Sequence, residues 1–357
     1  MIRTVGVSGY FSTGSSAVVD LLHEFDETQV LNSEFYIARG IPDGLEDLEN
    51  SLRGPHSSAV AIKRFRKIMK EPLMRKSITK EEMNKIVDEF LNSIIGYSWL
   101  NNAPNMIIDI YQFPLSVRYL RYMLWTICLK LRLKFLCKSI QVFFNYKVDY
   151  SVLPENFDEA SKLFIINILA AMGIDWHHEE KKIIVINQAF LPSDPIRSFK
   201  YFENPASIIV DRDPRDHYLF TKYFLRPQGI CFPSNNVNDY IKYFLLQRRS
   251  SQNLRSRTDV FFVNFEELVY DSENATKKVA NFLGITKHIR KGECFKPTHS
   301  RNNTQLFKKY TGCESDLKKI EQELQEYLFP FENYPDIDPE GEMFFGSQLN
   351  KKGSKYR

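Results

Sequence analysis

Five short apolar segments, rich in β-branched and aromatic residues and separated by segments of helical periodicity, constrain the fold of this chain most strongly. They read TVGVSGY, TQVLN, KKIIVIN, ASIIVD and DVFFVNF. Apolar strands that alternate with helices are typical of a parallel sheet covered on both faces. The sequence therefore predicts an α/β fold with a parallel sheet flanked by helices.

One long segment interrupts this alternation. Residues 41–172 are mainly helical in pattern, with strong helices predicted at SITKEEMNKIVDEFLNSIIG and NFDEASKLFIINILAAMG, each followed by a glycine as a C-terminal signal. We predict one α/β domain over residues 1–330, whose core (1–40 and 173–330) holds this helical insertion between its second and third strands. Residues 331–357 are predicted to be a polar, loosely held tail.

Composition narrows the class of protein. The chain has 357 residues, is 43% hydrophobic and carries a net charge of only +4, so we expect a globular protein that does not bind nucleic acid. Its five cysteines lack metal-ligand and redox spacings, which indicates reduced thiols. The first strand begins close to Met1, and no long uncharged apolar run follows. We therefore expect a cytoplasmic protein without a signal peptide or a transmembrane helix.

The first predicted strand runs into a glycine-rich turn, GYFSTGSS, which opens an apolar helix. Converging backbone N–H groups and the helix N-terminus make such a turn a phosphate site. Ser15 stands where nucleoside triphosphatases have the lysine that grips the β- and γ-phosphates. The turn therefore favours a different phosphate-like group, or else it is an ordinary strand–turn–helix connection. The candidate ligand-binding residues are Gly9, Tyr10, Phe11, Ser12, Thr13, Gly14, Ser15 and Ser16.

A second candidate segment is SIIVDRDPRDHYLF, where Arg212 follows the end of a buried strand. Ligands of open parallel sheets bind beyond the carboxyl ends of the strands. An arginine at such an end can grip a phosphate through two parallel hydrogen bonds. The alternative is a charged loop with local Asp–Arg pairs and a proline at a helix start.

Taken in order along the chain, four segments resemble those of sulfotransferases that use 3′-phosphoadenosine 5′-phosphosulfate (PAPS), especially the bacterial branch related to glycan sulfotransferases. GYFSTGSS is similar to the 5′-phosphosulfate loop, and VDRDPRDHYLF to the 3′-phosphate segment. VNFEELVYDSENATKKVANFLGI resembles a later strand and helix of the family, and SRNNTQLFKKY its late loop. The resemblance covers the α/β core, about half of the chain.

This resemblance implies a P-loop-type sheet and transfer of a sulfuryl group from PAPS, without a metal, to a hydroxyl or amine. The small-molecule donor would leave as 3′-phosphoadenosine 5′-phosphate (PAP). The acceptor implied is a carbohydrate, such as a surface or capsular polysaccharide or its precursor. For the 3′-phosphate, the implied residues are Arg212 with Arg301 and Lys308 or Lys309.

Three family positions are altered here. Ser12 stands where many members have a lysine that helps the leaving phosphate. Phe220, followed by Thr221, replaces the usual serine eight residues after the arginine. Asn187 and Gln188 occupy the place of a strand-end histidine that serves as base. How charge on the leaving group is neutralised therefore stays open, with Ser12 kept as a catalytic candidate and Thr221 as a nucleotide contact.

For the base, glycan-type members use a glutamate just after the second strand, and Glu34 in QVLNSEFYIARG matches it. A carboxylate in a partly apolar cleft would have a raised pKa and suit general-base work. The alternative is a surface glutamate at a helix cap. Arg39, about one turn further on, is a candidate for binding an acidic acceptor or the leaving phosphate.

The segment 115–147 is basic and aromatic, with no acid between Tyr111 and Val148. It fits a helical wall of the acceptor cleft, or else a peripheral contact with the inner face of a membrane. For the whole chain, two further functions stay open. One is a catalytically inactive nucleotide-binding or scaffold protein, and the other is a P-loop nucleotide kinase, which the missing lysine disfavours.

Overall fold

The computed structural model describes residues 2–54, 57–101, 106–133, 145–230, 232–338, 341 and 343. They form two compact units. The first unit contains the described residues up to Phe35 and from Ile174 onward, and the second runs from Tyr36 to Gly173.

The strands fall into two sheets, one in each unit. Among the described residues, the first unit holds five strands and the second holds two. In chain order they are β1 (Arg3–Gly9), β2 (Thr28–Leu31), β3 (Tyr97–Asn101), β4 (Tyr146–Tyr150), β5 (Ile183–Asn187), β6 (Pro205–Asp211) and β7 (Val260–Asn264). The second unit's strands, β3 and β4, form an antiparallel pair.

Helices of the first unit flank its sheet. They are α1 (Ser15–Leu22), α9 (Ile196–Phe199), α10 (Pro214–Leu219), α11 (Val237–Arg249), α12 (Phe265–Tyr270), α13 (Ser272–Leu283), α14 (Pro297–Ser300) and α15 (Glu314–Glu323). A π-helix, Phe220–Leu225, continues α10 directly. Short 3₁₀ turns lie at Arg226–Gln228, Gln252–Ser256, Arg301–Asn303, Leu306–Lys308, Gln325–Tyr327 and Phe331–Asn333.

Helices also make up most of the second unit. They are α2 (Leu45–Arg53), α3 (Ser58–Ile68), α4 (Pro72–Arg75), α5 (Lys80–Ile94), α6 (Met106–Gln112), α7 (Leu115–Lys130) and α8 (Phe157–Ala171). The helices α5 and α8 are the two that the periodicity predicted most strongly. As predicted, a glycine follows the end of α8: Gly173 has a φ of 97°. The helix α5 ends earlier than predicted, at Ile94, and the next residue, Ile95, is already extended, so the expected glycine lies beyond the helix end.

The sheet of the first unit has the strand order β2-β5-β1-β6-β7, and every neighbouring pair in it is parallel. The central strand β1 is buried because Val5 and Val7 pack with Val18 and Leu22 of α1 in one apolar cluster. Since Gly9 pairs with Val210, the carboxyl ends of β1 and β6 lie side by side. The turn after β1 and the segment after β6 therefore meet at one edge of the sheet.

The predicted fold class is confirmed: a parallel sheet flanked by helices, with a mainly helical insertion between β2 and β5, its second and third strands in chain order. The antiparallel pair β3–β4 inside the insertion was not predicted. Much of the predicted tail, and residues 134–144 of the basic segment, lie outside the described residues.

Candidate functional site

The turn between β1 and α1 has an unusual backbone. Phe11, Ser12 and Gly14 all have positive φ, at 69°, 54° and 91°. Glycine is required at position 14 for a second reason, because a Cβ there would lie 2.4 Å from the ring of Phe265. The turn thus passes close beneath an aromatic ring of α12, and any side chain at this position would displace it.

A threonine inside the turn ties it to the neighbouring strand. Thr13 Oγ1 donates to the main-chain oxygen of Val210 at 2.7 Å and accepts from the main-chain N–H of Tyr10 at 3.1 Å. A Cβ at Gly9 would lie 2.2 Å from that hydroxyl, so glycine leaves it room. The turn is therefore held on the carboxyl end of β6.

A buried histidine of α10 supports the turn from below. His217 Nε2 lies 2.8 Å from the main-chain oxygen of Phe11, and Nδ1 lies 3.0 Å from the hydroxyl of Tyr240. Burial, with Arg248 and Arg212 nearby, lowers the pKa of His217 to about 3. The ring is therefore neutral, with its Nε2–H donating to the turn, which holds Phe11 in its left-handed conformation.

Arg212 joins this turn to the late loop. It is 5% exposed, its Nη1 donates to the main-chain oxygen of Ser12 at 3.2 Å, and its Nη2 donates to that of Asn303. The guanidinium also packs on the rings of Phe220 and Phe265, with Cζ 5.0 and 5.4 Å from the centroids. Its Nε is buried and lacks a hydrogen-bond partner among the described residues.

Local Asp–Arg pairs do form here, but they use the other arginines. Arg215 holds Asp213 through two bonds of 3.0 and 2.8 Å, and Arg248 holds Asp211 through bonds of 2.9 and 2.5 Å. Within the part of the chain that the structure describes, the guanidinium of Arg212 donates only to carbonyl oxygens. Its charge therefore has no carboxylate bound directly to it, which suits an arginine that receives an anion.

One cavity of the first unit brings the turn and Arg212 together. From the predicted site it takes Ser12, Gly14, Ser16 and Arg212. The sequence reasoning missed the other lining residues, which are aromatic, polar and small apolar side chains with one acid and one lysine. They are Ala17, Asp20, Phe220, Phe265, Cys294, Phe295, Lys296, Ser300 and Asn303. Two cations and several hydroxyl and main-chain groups thus face the same space.

Lys296 is the one lysine among the lining residues that the sequence reasoning missed. It is exposed, it precedes α14, and it lines the same cavity as Ser12, which stands where many of the sulfotransferases that the sequence resembles have a loop lysine. In the sequence it lies in FKPTHSRNN, just before the segment that resembles the late loop. Its position just before that segment was the one signal in the sequence that could have pointed to Lys296. Only the fold shows that this lysine lines the cavity.

Other predicted nucleotide contacts lie away from the cavity. Thr221 is buried and its hydroxyl donates to the main-chain oxygen of Tyr218 at 2.9 Å. Arg301 donates to the main-chain oxygen of Asp336 at 3.2 Å, and Lys308 pairs with the carboxylate of the same residue. Lys309 donates to the main-chain oxygen of Gly341. The structure does not bring these four side chains to the cavity, and their roles stay predictions.

Within the turn, the two aromatic side chains point away from the cavity. Tyr10 is buried, with its hydroxyl 2.5 Å from Ser251 Oγ, and Arg248 stacks over its ring. Phe11 is partly exposed and stacks on Phe232, with ring centroids 5.5 Å apart. Neither side chain therefore lines the cavity of Ser12 and Arg212.

Two hydrogen bonds link the residue after Glu34, and the start of α1, to the end of β5. The main-chain N–H of Phe35 donates to the oxygen of Asn187 at 2.8 Å, and Gln188 Nε2 donates to Ser15 Oγ at 3.0 Å. Glu34 is exposed and does not line the cavity of Ser12 and Arg212. Arg39 belongs to the second unit, where its guanidinium lies 5.7 Å from the ring of Tyr36.

Buried carboxyl groups support Arg212 and the late loop. Asp216 accepts from the main-chain N–H groups of Gln305 and Leu306, both at 2.7 Å. Glu266 accepts from the main-chain N–H of Asp213 at 3.0 Å. Burial is the main cause that raises the pKa of Asp216 to about 7 and that of Glu266 well above its ordinary value, and the negative charge of Asp213 is the second. A raised pKa favours the neutral form of Glu266, which limits the negative charge beneath the site.

Comparison with known proteins gives structural neighbours only. No family model and no curated protein matches the chain. Retinol dehydratase in complex with androsterone and the inactive cofactor PAP is 13% identical over 91% of this chain and 80% of its own, with a TM-score of 0.35.

Two sulfotransferase domains are also similar. The domain from the curacin biosynthetic pathway is 10% identical over 80% of this chain and 74% of its own, with a TM-score of 0.35. The domain from the Synechococcus PCC 7002 olefin synthase is 14% identical over 98% of this chain and 90% of its own, with a TM-score of 0.34. Similarity at this level does not establish a family, so the function has to be inferred from the site.

Among the described residues, no group of three His, Cys, Asp or Glu side chains is placed to hold a metal ion. No helix in the same part of the chain is both long and apolar enough to cross a bilayer.

Proposed function

We propose that this chain is a PAPS-dependent sulfotransferase. The observation that supports the proposal most directly is that Ser12, Gly14 and Ser16 of the turn line one cavity with Arg212. The turn and the N-terminus of α1 suit a 5′-phosphosulfate, and a buried arginine without a bound carboxylate suits the 3′-phosphate. The Nε of Arg212, which has no partner in the part of the chain that the structure describes, fits an anion that completes its hydrogen bonds.

In the proposed reaction, an acceptor oxygen or nitrogen attacks the sulfur of PAPS. The bond from sulfur to the bridging oxygen breaks, and that oxygen leaves on PAP with its electron pair. Negative charge builds on the bridging oxygen, so positioning and electrostatic stabilisation should dominate the catalysis. The acceptor's proton passes to a base, for which Glu34 is the candidate at this edge of the sheet.

We assign the missing lysine's role to Lys296. It and Arg212 are the two cations among the residues that line the cavity. A lysine there can neutralise the leaving phosphate without belonging to the turn, because only the position of its ammonium group matters. Asp20, the acid among these lining residues, suits a sugar hydroxyl or base amine of the nucleotide better than a phosphate.

For the acceptor we propose a carbohydrate, because the four sequence segments resemble the glycan branch of the family. Arg39 is the residue assigned to an acidic group on that acceptor. A screen of candidate glycans with radiolabelled sulfate tests the acceptor separately from the donor. Transfer to a small phenol or steroid, but to no glycan, would contradict the carbohydrate assignment while leaving the sulfotransferase assignment intact.

Thermal unfolding with and without nucleotide tests the donor site. We expect PAP to raise the midpoint of unfolding and ATP with magnesium to leave it unchanged, since a ligand stabilises only the state that binds it. Arg212→Ala should lose the protection by PAP. Arg257→Ala is the control, because Arg257 is exposed and pairs with Asp259 through a bond of 2.6 Å.

The alternatives are outcomes of the same measurement. Protection by PAP without sulfuryl transfer to any acceptor would indicate a catalytically inactive nucleotide-binding protein. Protection by ATP with magnesium, and not by PAP, would indicate a kinase and overturn the proposal.

A further inference from the structure

The second unit carries an apolar surface on the outside of helix α7. Five of its side chains, which we name the α7 face, are exposed: Leu115, Tyr119, Tyr122, Met123 and Ile127. Tyr119 is 69% exposed and Met123 is 51% exposed. At 100° per residue these five positions fall within one side of the helix. A helix of a water-soluble protein normally turns polar residues outward, whereas the outward side of α7 carries apolar and aromatic residues.

The inner side of α7 explains why the apolar side chains cannot turn inward. Arg121 and Cys128 are each 1% exposed, and Arg121 Nη1 donates to Asp109 Oδ1 at 2.9 Å. The hydroxyl of Tyr146 donates to the same oxygen at 2.7 Å. Removing one partner of a buried ion pair is strongly destabilising, so the rotation of α7 about its axis is held by this contact.

The exposed charges of α7 and of residues 131–133 after it have one sign. Lys130 ends the helix on its outward side, Arg132 follows, and both are exposed. No aspartate or glutamate occurs between Tyr111 and Val148. The one arginine that α7 buries, Arg121, is neutralised by Asp109 of α6. The α7 face is therefore apolar and aromatic, and the exposed charges at its C-terminal end are basic, a charge pattern complementary to anionic lipid headgroups.

We propose that the α7 face docks this protein on the surface of an anionic lipid bilayer. The apolar and tyrosine side chains would enter the boundary between headgroups and acyl chains, while Lys130 and Arg132 meet lipid phosphates. The helix lies on the bilayer and does not cross it, since no described helix has the length and hydropathy of a membrane span. The proposal stands on the second unit alone and does not depend on the sulfotransferase assignment.

Sedimentation with vesicles tests the proposal on the full chain. We expect binding to phosphatidylcholine vesicles that contain phosphatidylglycerol, and much weaker binding to phosphatidylcholine alone. The double variant Lys130→Glu with Arg132→Glu should lower partitioning about ten-fold or more, because each basic residue near such a surface contributes on the order of 1 kcal/mol. High salt should weaken binding in the same way.

A second variant tests the apolar contribution. Tyr119→Ser with Met123→Ser should also reduce partitioning while leaving the thermal unfolding midpoint unchanged, because both side chains are exposed. The matched control is Leu245→Ser with Leu246→Ser, two exposed apolar residues of α11 in the other unit. Equal vesicle binding by the parent chain, the Tyr119/Met123 variant and the Leu245/Leu246 control would overturn the proposal. So would a parent chain that does not bind vesicles. Concentration-dependent dimerisation that the Tyr119/Met123 variant abolishes, without vesicle binding, would assign the face to a second copy instead.

Discussion

At the scale of single residues, neutralisation of the leaving group in the proposed reaction depends on where cations reach the cavity. Ser12 carries no charge, while Lys296 and Arg212 line the same cavity. A lysine need not follow the glycine-rich turn in sequence if another loop delivers it to the same place. This explains how the chain can retain the turn and lack its lysine.

Substitution of Lys296 tests this directly. We expect Lys296→Ala to lower turnover about 10²-fold or more, the effect of removing one group that stabilises transition-state charge, with a smaller change in PAP affinity. Adding Ser12→Lys to that variant should restore part of the activity. Lys291→Ala is the control, since Lys291 is exposed and pairs with Glu273 at 3.1 Å. Full activity of Lys296→Ala would remove this residue from the mechanism.

The identity of the base is a separate prediction at this scale. Glu34→Gln should reduce turnover by about 10²- to 10⁴-fold, because the amide cannot accept the acceptor's proton. Protection of the protein by PAP should not change, since Glu34 does not line the cavity that holds Arg212. Retained turnover would show that another group, or solvent, takes the proton.

At the scale of elements, the turn is shaped by its neighbours as much as by its own residues. The β6 end holds it through Thr13, α10 holds it through His217, and Phe265 of α12 covers Gly14. The helix α10 widens into the π-helix that begins at Phe220, and π-turns are frequent at functional sites. Phe220 lines the cavity there and packs on the guanidinium of Arg212.

The glycine in this turn gives a prediction about packing between elements. Gly14→Ala should destabilise the fold by about 2 kcal/mol or more, from left-handed backbone strain together with displacement of the Phe265 ring. It should also weaken PAP binding, because Phe265 lines the cavity. Denaturant unfolding and PAP titration measure the two effects.

Gly173→Ala is the matched control for that variant. Gly173 has a φ of 97°, close to the 91° of Gly14, but a Cβ there would meet nothing within 4 Å. It should therefore show the backbone strain alone. Equal loss of stability in the two variants, with unchanged PAP binding, would mean that the ring of Phe265 moves aside freely.

At the scale of the whole molecule, the buried carboxyl groups should make stability depend on pH. Burial raises the pKa of Glu266, so the folded chain holds this proton to a higher pH than the unfolded chain does. Stability is therefore lost as pH rises above the unfolded value of about 4.3, at up to about 1.4 kcal/mol per pH unit. Asp216, whose pKa is about 7, acts in the same direction up to that pH.

The variant Glu266→Gln isolates this contribution, because the amide cannot ionise yet keeps an acceptor for the N–H of Asp213. Urea unfolding should show little change near about pH 5 and a gain relative to the parent chain near about pH 8. The gain should grow steadily between these values. A variant that tracks the parent at every pH would show that folding does not raise the pKa of Glu266.

Much of the architecture follows from local pattern. Each strand of the five-stranded sheet could be predicted because its apolar residues lie within a few positions of one another in the sequence. The pair β3 and β4 could not be predicted in this way, because these half-exposed strands lack a continuous apolar pattern. They are also separated in sequence by α6 and α7, so their pairing depends on a long-range contact.

The sequence by itself determined the α/β class, the strand–turn–helix at Gly9 to Ser16 and the arginine at the end of β6, because these depend on short-range periodicity and spacing. Only the tertiary structure decided which side chains share a cavity. The order β2-β5-β1-β6-β7 places the ends of β1 and β6 together, and the loops packed there add Lys296 and Asn303. The tertiary structure also decided that the Thr221 hydroxyl binds the main-chain oxygen of Tyr218 and that Arg121 is buried against Asp109. Convergence of distant segments depends on the packing of the whole chain, which spacing along the sequence does not encode.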